Sequence, residues 1–160
     1  MNETGMYVGI LGDSLKRKKA YLDEIAELTI KQGELAAADK FDEEAFGETV
    51  DRKETLINNI NEIDKGFTSV YDRIRGNLLE EKEAYKKELK DIQTLINSCM
   101  DKGSEIEVLE ERNRQKLEGI FASERKNLRQ VKNSRSIANK YYKTMANGMV
   151  NDAMLYDRKK

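Results

Sequence analysis

The chain has no proline, no tryptophan and no histidine, and one cysteine among its 160 residues. Without proline, no residue forces a long helix to stop or kink. The absence of histidine rules out a Ser-His-Asp or Cys-His catalytic arrangement, a Glu-x-x-His di-iron pair, and any conventional zinc site beyond what Cys99 alone could offer. Cys99 itself falls on an apolar stripe, where a cysteine reads as a small buried hydrophobe. A single cysteine cannot form an internal disulfide. Long apolar runs are missing too, and none approaches the roughly 20 residues that span a bilayer. In "MNETGMYVGILGDSLKRKK" the basic cluster follows the short apolar run, the reverse of a secretory signal. The cytoplasm is therefore the expected compartment. A phosphate loop is absent, because "GILGDSLKRKK" does not end in Gly-Lys-Ser/Thr. The acidic stretches "EEKE" at 80–83 and "EVLEE" at 107–111 have the spacing of solvated helix faces. No enzymatic activity, cofactor or metal is expected.

What the chain does have is charge and helix-forming residues. Charged residues make up 37% of it and hydrophobic ones 38%, a balance that suits long helices with a narrow apolar stripe. Val8, Leu11, Leu15, Leu22 and Ile25 fall on an alternating spacing of three and four that continues through Thr29, Gln32 and Ala36, with Tyr21, Leu28 and Leu35 alongside. This predicts a first helix over about 6–38. Asp39 or Asp42, followed by Glu43 and Glu44, is a start signal for a second. Its stripe is Phe46, Val50, Ile57, Ile60, Phe67, Tyr71 and Ile74, flanked by Leu56, Ile63 and Val70 and interrupted by Lys53 and Asp64. "RGN" at 75–77 is the expected stop.

A third pattern runs through Tyr85, Leu89, Ile92, Ile96 and Cys99. The same phase continues past Gly103 to Ile106, Asn113, Leu117, Ile120 and Val131, which one unbroken helix would preserve. "DKGS" at 101–104 offers instead a glycine stop followed by a serine cap, and a break or kink there, with a fourth helix folding back, is the favoured expectation. Helical spacing then persists to about residue 146. The predicted fold is an all-α antiparallel bundle of three to four long helices with coiled-coil-like packing. The bundle is expected to occupy 1–136, and an amphipathic helix and tail 137–160.

The net charge of −1 conceals an asymmetry. From Arg125 to the end there are ten basic and two acidic residues, a balance of +8, whereas residues 1–124 carry −9. The basic end, with Tyr141 and Tyr142 interleaved, could track a nucleic-acid backbone. It could equally compensate acidic helices within the bundle, such as "DEE" at 42–44. No nucleic-acid partner and no membrane insertion are expected. Met145, Met149 and Met154 extend past the regular pattern, and flexible methionine suits a surface that accepts an apolar helix from a partner.

The order of features resembles the FlgN-type flagellar export chaperones. It comprises a Gln near the end of the first helix (Gln32), "RKETLI" at 52–57, "GF" at 66–67, "ERNR" at 111–114, "YYK" at 141–143 and a charged "DRKK" end. The resemblance spans the chain, although each motif alone is short. It implies a non-catalytic cytoplasmic chaperone for the hook-filament junction proteins, which it delivers to the type III export machinery. It also implies substrate binding in the C-terminal region. On that basis Ile137, Tyr141, Tyr142, Met145, Met149, Leu155 and Tyr156 are the expected partner-binding residues. A monomer or weak homodimer is expected. The rival is a structural coiled-coil protein whose stripe is consumed in self-association.

Overall fold

The computed structural model describes residues 3–123, which form three α-helices: α1 (Glu3–Ala37), α2 (Glu43–Glu80) and α3 (Lys86–Ser123). At 35, 38 and 38 residues these are rods of about 55 Å at 1.5 Å per residue. The fold is an all-α helical bundle, with no strand among the described residues. Asp42 caps α2: its backbone is extended, and its Oδ1 accepts the Ala45 N–H at 3.0 Å. Glu43 and Glu44 then sit over the positive end of the helix dipole.

Contacts between helices fix their directions. Near one end of α1, Asn77 Nδ2 donates to Thr4 Oγ1 at 3.4 Å, and near the other Gln32 Nε2 donates to Thr49 Oγ1 at 2.9 Å, so α2 runs antiparallel to α1. Lys102 stands 3.7 Å from Asp23, and Asn113 Nδ2 donates to the Thr29 carbonyl at 2.7 Å, so α3 runs parallel to α1. The topology is up-down-up. α1 packs against both neighbours, while the backbones of α2 and α3 stay farther apart.

The apolar stripes become the core. Val8, Leu11, Leu15, Leu22 and Ile25 of α1 are buried, as are Phe46, Ile60, Phe67, Tyr71 and Ile74 of α2. On α3 the buried positions are 89, 92, 96, 99, 103, 106, 113 and 117, a coiled-coil-like alternation of three and four. Cys99 is a buried core residue as its place on the stripe implies, and its thiol lies 3.9 Å from the Leu15 carbonyl.

Two expectations about helix ends are corrected. α2 does not stop at 75–77 but continues to Glu80. The reason is Leu78, which extends the phase of Phe67, Tyr71 and Ile74 and is buried with Val8 and Leu89. Nor is there a break at 101–104: α3 passes straight through, and its residues after Ser104 belong to the same helix instead of a fourth one. Gly103 is buried on the seam between Cys99 and the fully buried Ile106, so continuity keeps both in the core. Across the expected break, Lys102 pairs with Glu105 at 2.9 Å. The compensation sought between "DEE" and the basic end falls on residues outside those described.

Glycines inside the helices provide a test of this packing. A Cβ at Gly66 or Gly76 would meet nothing within 4 Å. Gly66→Ala and Gly76→Ala should therefore each stabilise the bundle by about 1 kcal/mol, the difference in helix propensity. Gly33 is different, because a Cβ there would lie 2.6 Å from Asn113 Oδ1. The amide of Asn113 would have to swing off the Thr29 carbonyl, and Gly33→Ala should show no gain. Urea midpoints for the three variants would separate the two classes.

Candidate functional site

Polar residues on the stripes divide the core into layers. The largest apolar cluster joins Val8, Leu11 and Leu15 to Phe67, Tyr71, Ile74 and Leu78 and to Leu89, Ile92 and Ile96. A second joins Leu22, Ile25 and Ala26 to Leu56, Ile57 and Ile60 and to Cys99 and Ile106. Along α1 and α2, Lys18 and Asp64 lie between them, 2.8 Å apart, with the Lys18 side chain 0% exposed and that of Asp64 19%. The third cluster is small, namely Ala36, Phe46, Val50 and Leu117.

Between the second and third clusters lies a polar layer to which all three helices contribute. Lys53 Nζ donates to Gln32 Oε1 at 2.9 Å and to Glu110 Oε1. Gln32 Nε2 in turn donates to Thr49 Oγ1, whose hydroxyl donates to the Phe46 carbonyl at 2.5 Å. Thr29 Oγ1 donates to the Ile25 carbonyl at 2.7 Å and reaches Glu110 Oε1 at 3.4 Å. Asn113, on the Thr29 carbonyl, completes the set. The ammonium of Lys53, a residue 3% exposed, is taken out of water, and this lowers its pKa despite the opposing pull of Glu110. A buried ion pair of this kind contributes little net stability, because desolvation of both charges offsets their attraction. What it specifies is register: sliding α2 or α3 by one turn would bring Lys53 or Glu110 against an apolar layer.

The surface is highly charged and its ion pairs are mostly local. Arg114 bridges Glu111 and Glu118 on α3, and Lys19 pairs with Asp23 on α1. Between helices, the Arg52 guanidinium holds Glu24 through two hydrogen bonds, which lower the pKa of the carboxyl and raise that of Arg52. Exposed pairs such as these contribute little to stability. Large exposed apolar side chains among the described residues are Met6, Ile10, Ile30, Leu79 and Val108. Met6 and Ile10 lie one turn apart on α1, on the side away from the buried Val8 and Leu11.

No protein-family model, curated protein or solved structure matches this chain. The seven residues expected to bind a partner (Ile137, Tyr141, Tyr142, Met145, Met149, Leu155 and Tyr156) all lie outside the described residues. Of the motifs that carry the resemblance, Gln32, "RKETLI" and "ERNR" supply the polar layer, through Gln32, Lys53 and Asn113. Periodicity puts these residues on the stripes but does not show that they join. Its available signal was polar residues recurring where the period demands apolar ones. Among the described residues no group of three or more His, Cys, Asp or Glu is placed to hold a metal ion, and no helix is long and apolar enough to cross a membrane.

Proposed function

We propose that this chain is a flagellar export chaperone. It holds the helical ends of hook-filament junction proteins in the cytoplasm, hides their self-assembling surfaces, and brings them to the type III export apparatus without catalysing a reaction. The observation that carries this reading is where the apolar sequence goes. Residues 3–123 bury their stripes within one three-helix core, down to side chains such as Leu11, Ile25 and Ile106 at 0% exposure. A stripe consumed inside one chain is not available for the self-associated coiled coil that is the rival reading. Beyond the scattered exposed apolar side chains of the bundle, the sequence concentrates apolar residues in 137–160. Ile137, Tyr141, Tyr142, Met145, Met149, Leu155 and Tyr156 are thus the proposed contacts, with methionine adapting to more than one partner helix.

Calorimetric titration of the intact chain with the terminal helices of hook-filament junction proteins tests this. Binding by the intact chain, and its loss from a chain shortened to 1–136 that keeps its helical circular dichroism, is the expected result. No binding by the intact chain would overturn the chaperone reading. Full affinity in the shortened chain would move the binding surface onto the bundle.

A further inference from the structure

The three apolar clusters are unequal and unequally connected. The first two contain ten and eight buried residues, and Met100 packs against both. The third has four, and the partly buried side chains that pack on it (Leu35, Phe41 and Ile120) are shared with neither of the others. Between it and the rest lies the polar layer of Gln32, Thr49, Lys53 and Glu110. Separating the helices at that layer returns an ammonium, a carboxylate and an amide to water, so part of what the opening costs is recovered as hydration. Parting an apolar layer returns nothing comparable.

We propose that the end of the bundle beyond the polar layer, residues 33–50 together with 113–120, opens as a unit while the remainder of the three helices stays folded. Opening uncovers the apolar faces of Phe46, Val50 and Leu117 at the pole where α3 ends and the chain continues into 124–160. Lys18 and Asp64 do not divide the molecule in the same way, because the Met100 side chain spans the two clusters they separate. The proposal does not depend on the chaperone reading.

Amide hydrogen exchange of the full-length protein, followed by mass spectrometry in low denaturant, tests it. Amides of 43–50 and 113–120 should exchange roughly a hundredfold faster than those of 56–78 and 89–106, with a step at the polar layer and weak denaturant dependence, the signature of sub-global opening. Val50→Ala loosens the native state against the open and the fully unfolded forms alike, so it should accelerate both groups roughly tenfold. Ile60→Ala, in the middle cluster, should accelerate only the second group, because Ile60 stays packed when the end opens. Protection that is continuous across the layer overturns the proposal. So does a smooth gradient from the helix ends, which fraying alone produces, or an Ile60→Ala effect spread evenly over all three helices.

Discussion

Replacing Lys53 by methionine should destabilise the bundle by about 3–5 kcal/mol, the cost of leaving a buried carboxylate without its cation. Glu110 would lose its ammonium and Gln32 Oε1 its donor, while Thr29 Oγ1, 3.4 Å away, is already committed to the Ile25 carbonyl. Removing both charges is another matter. Lys53→Met combined with Glu110→Leu should be neutral, or more stable than the wild type by about 1–4 kcal/mol, since neither desolvation cost remains. Denaturant unfolding of the single and double variants decides the matter; a double variant as unstable as the single one would show that the layer contributes stability outright.

The same lysine gives a pH dependence whose sign can be worked out. Burial lowers the Lys53 pKa below its ordinary value of 10.5, so between the two values the unfolded chain binds more protons than the folded one. Stability contributed through Lys53 therefore rises with pH across that window. Below the depressed pKa the full cost of holding the ammonium in the core is present, and it is relieved as pH approaches 10.5. Other groups cancel in the comparison, so the stability gap between wild type and Lys53→Met should widen on going from neutral to alkaline pH. A gap that narrows would reverse the direction assigned to Lys53.

Phe67→Ala should cost about 3–5 kcal/mol, through lost burial and the cavity left behind. The side chain is 3% exposed and lies in the ten-residue cluster with Leu15 of α1 and Ile96 of α3. Domains of this size are stable by about 5–15 kcal/mol, so the loss is a large fraction of the total. It should lower the thermal midpoint by roughly 10–20 °C, read by circular dichroism. A shift of a degree or two would mean that this end of the bundle is not the part that governs global unfolding.

The stripes carried most of the fold in the sequence, since an alternation of three and four marks which side of a helix is buried. Val8 through Ala36, Phe46 through Ile74 and Leu89 through Leu117 are buried where their spacing puts them. Helix ends were harder to read. Gly76 and Gly103 have the local chemistry of stops, but burial of Leu78 and Ile106 farther along outweighs a preference of about 1 kcal/mol. Pairing was not legible at all. Lys53 and Glu110 are 57 positions apart, and periodicity assigns each to a face without stating which layer of another helix it meets. Lys18 and Asp64 likewise meet only in the folded chain, from different helices. The proposed binding residues, from Ile137 onward, rest on the sequence and the resemblance it carries.

Three helices in residues 3–123 make the described bundle a rod with two unlike poles. Residue 3 stands at one pole beside the turn at 81–85, and the chain leaves α3 at the other, beside the loop at 38–42. A fusion partner or fluorophore placed ahead of Glu3 is therefore about 55 Å from the point where the basic segment begins, a bundle length at 1.5 Å per residue. A label ahead of Glu3 therefore stands at the opposite pole from Ser123, the residue at which α3 ends beside the small core.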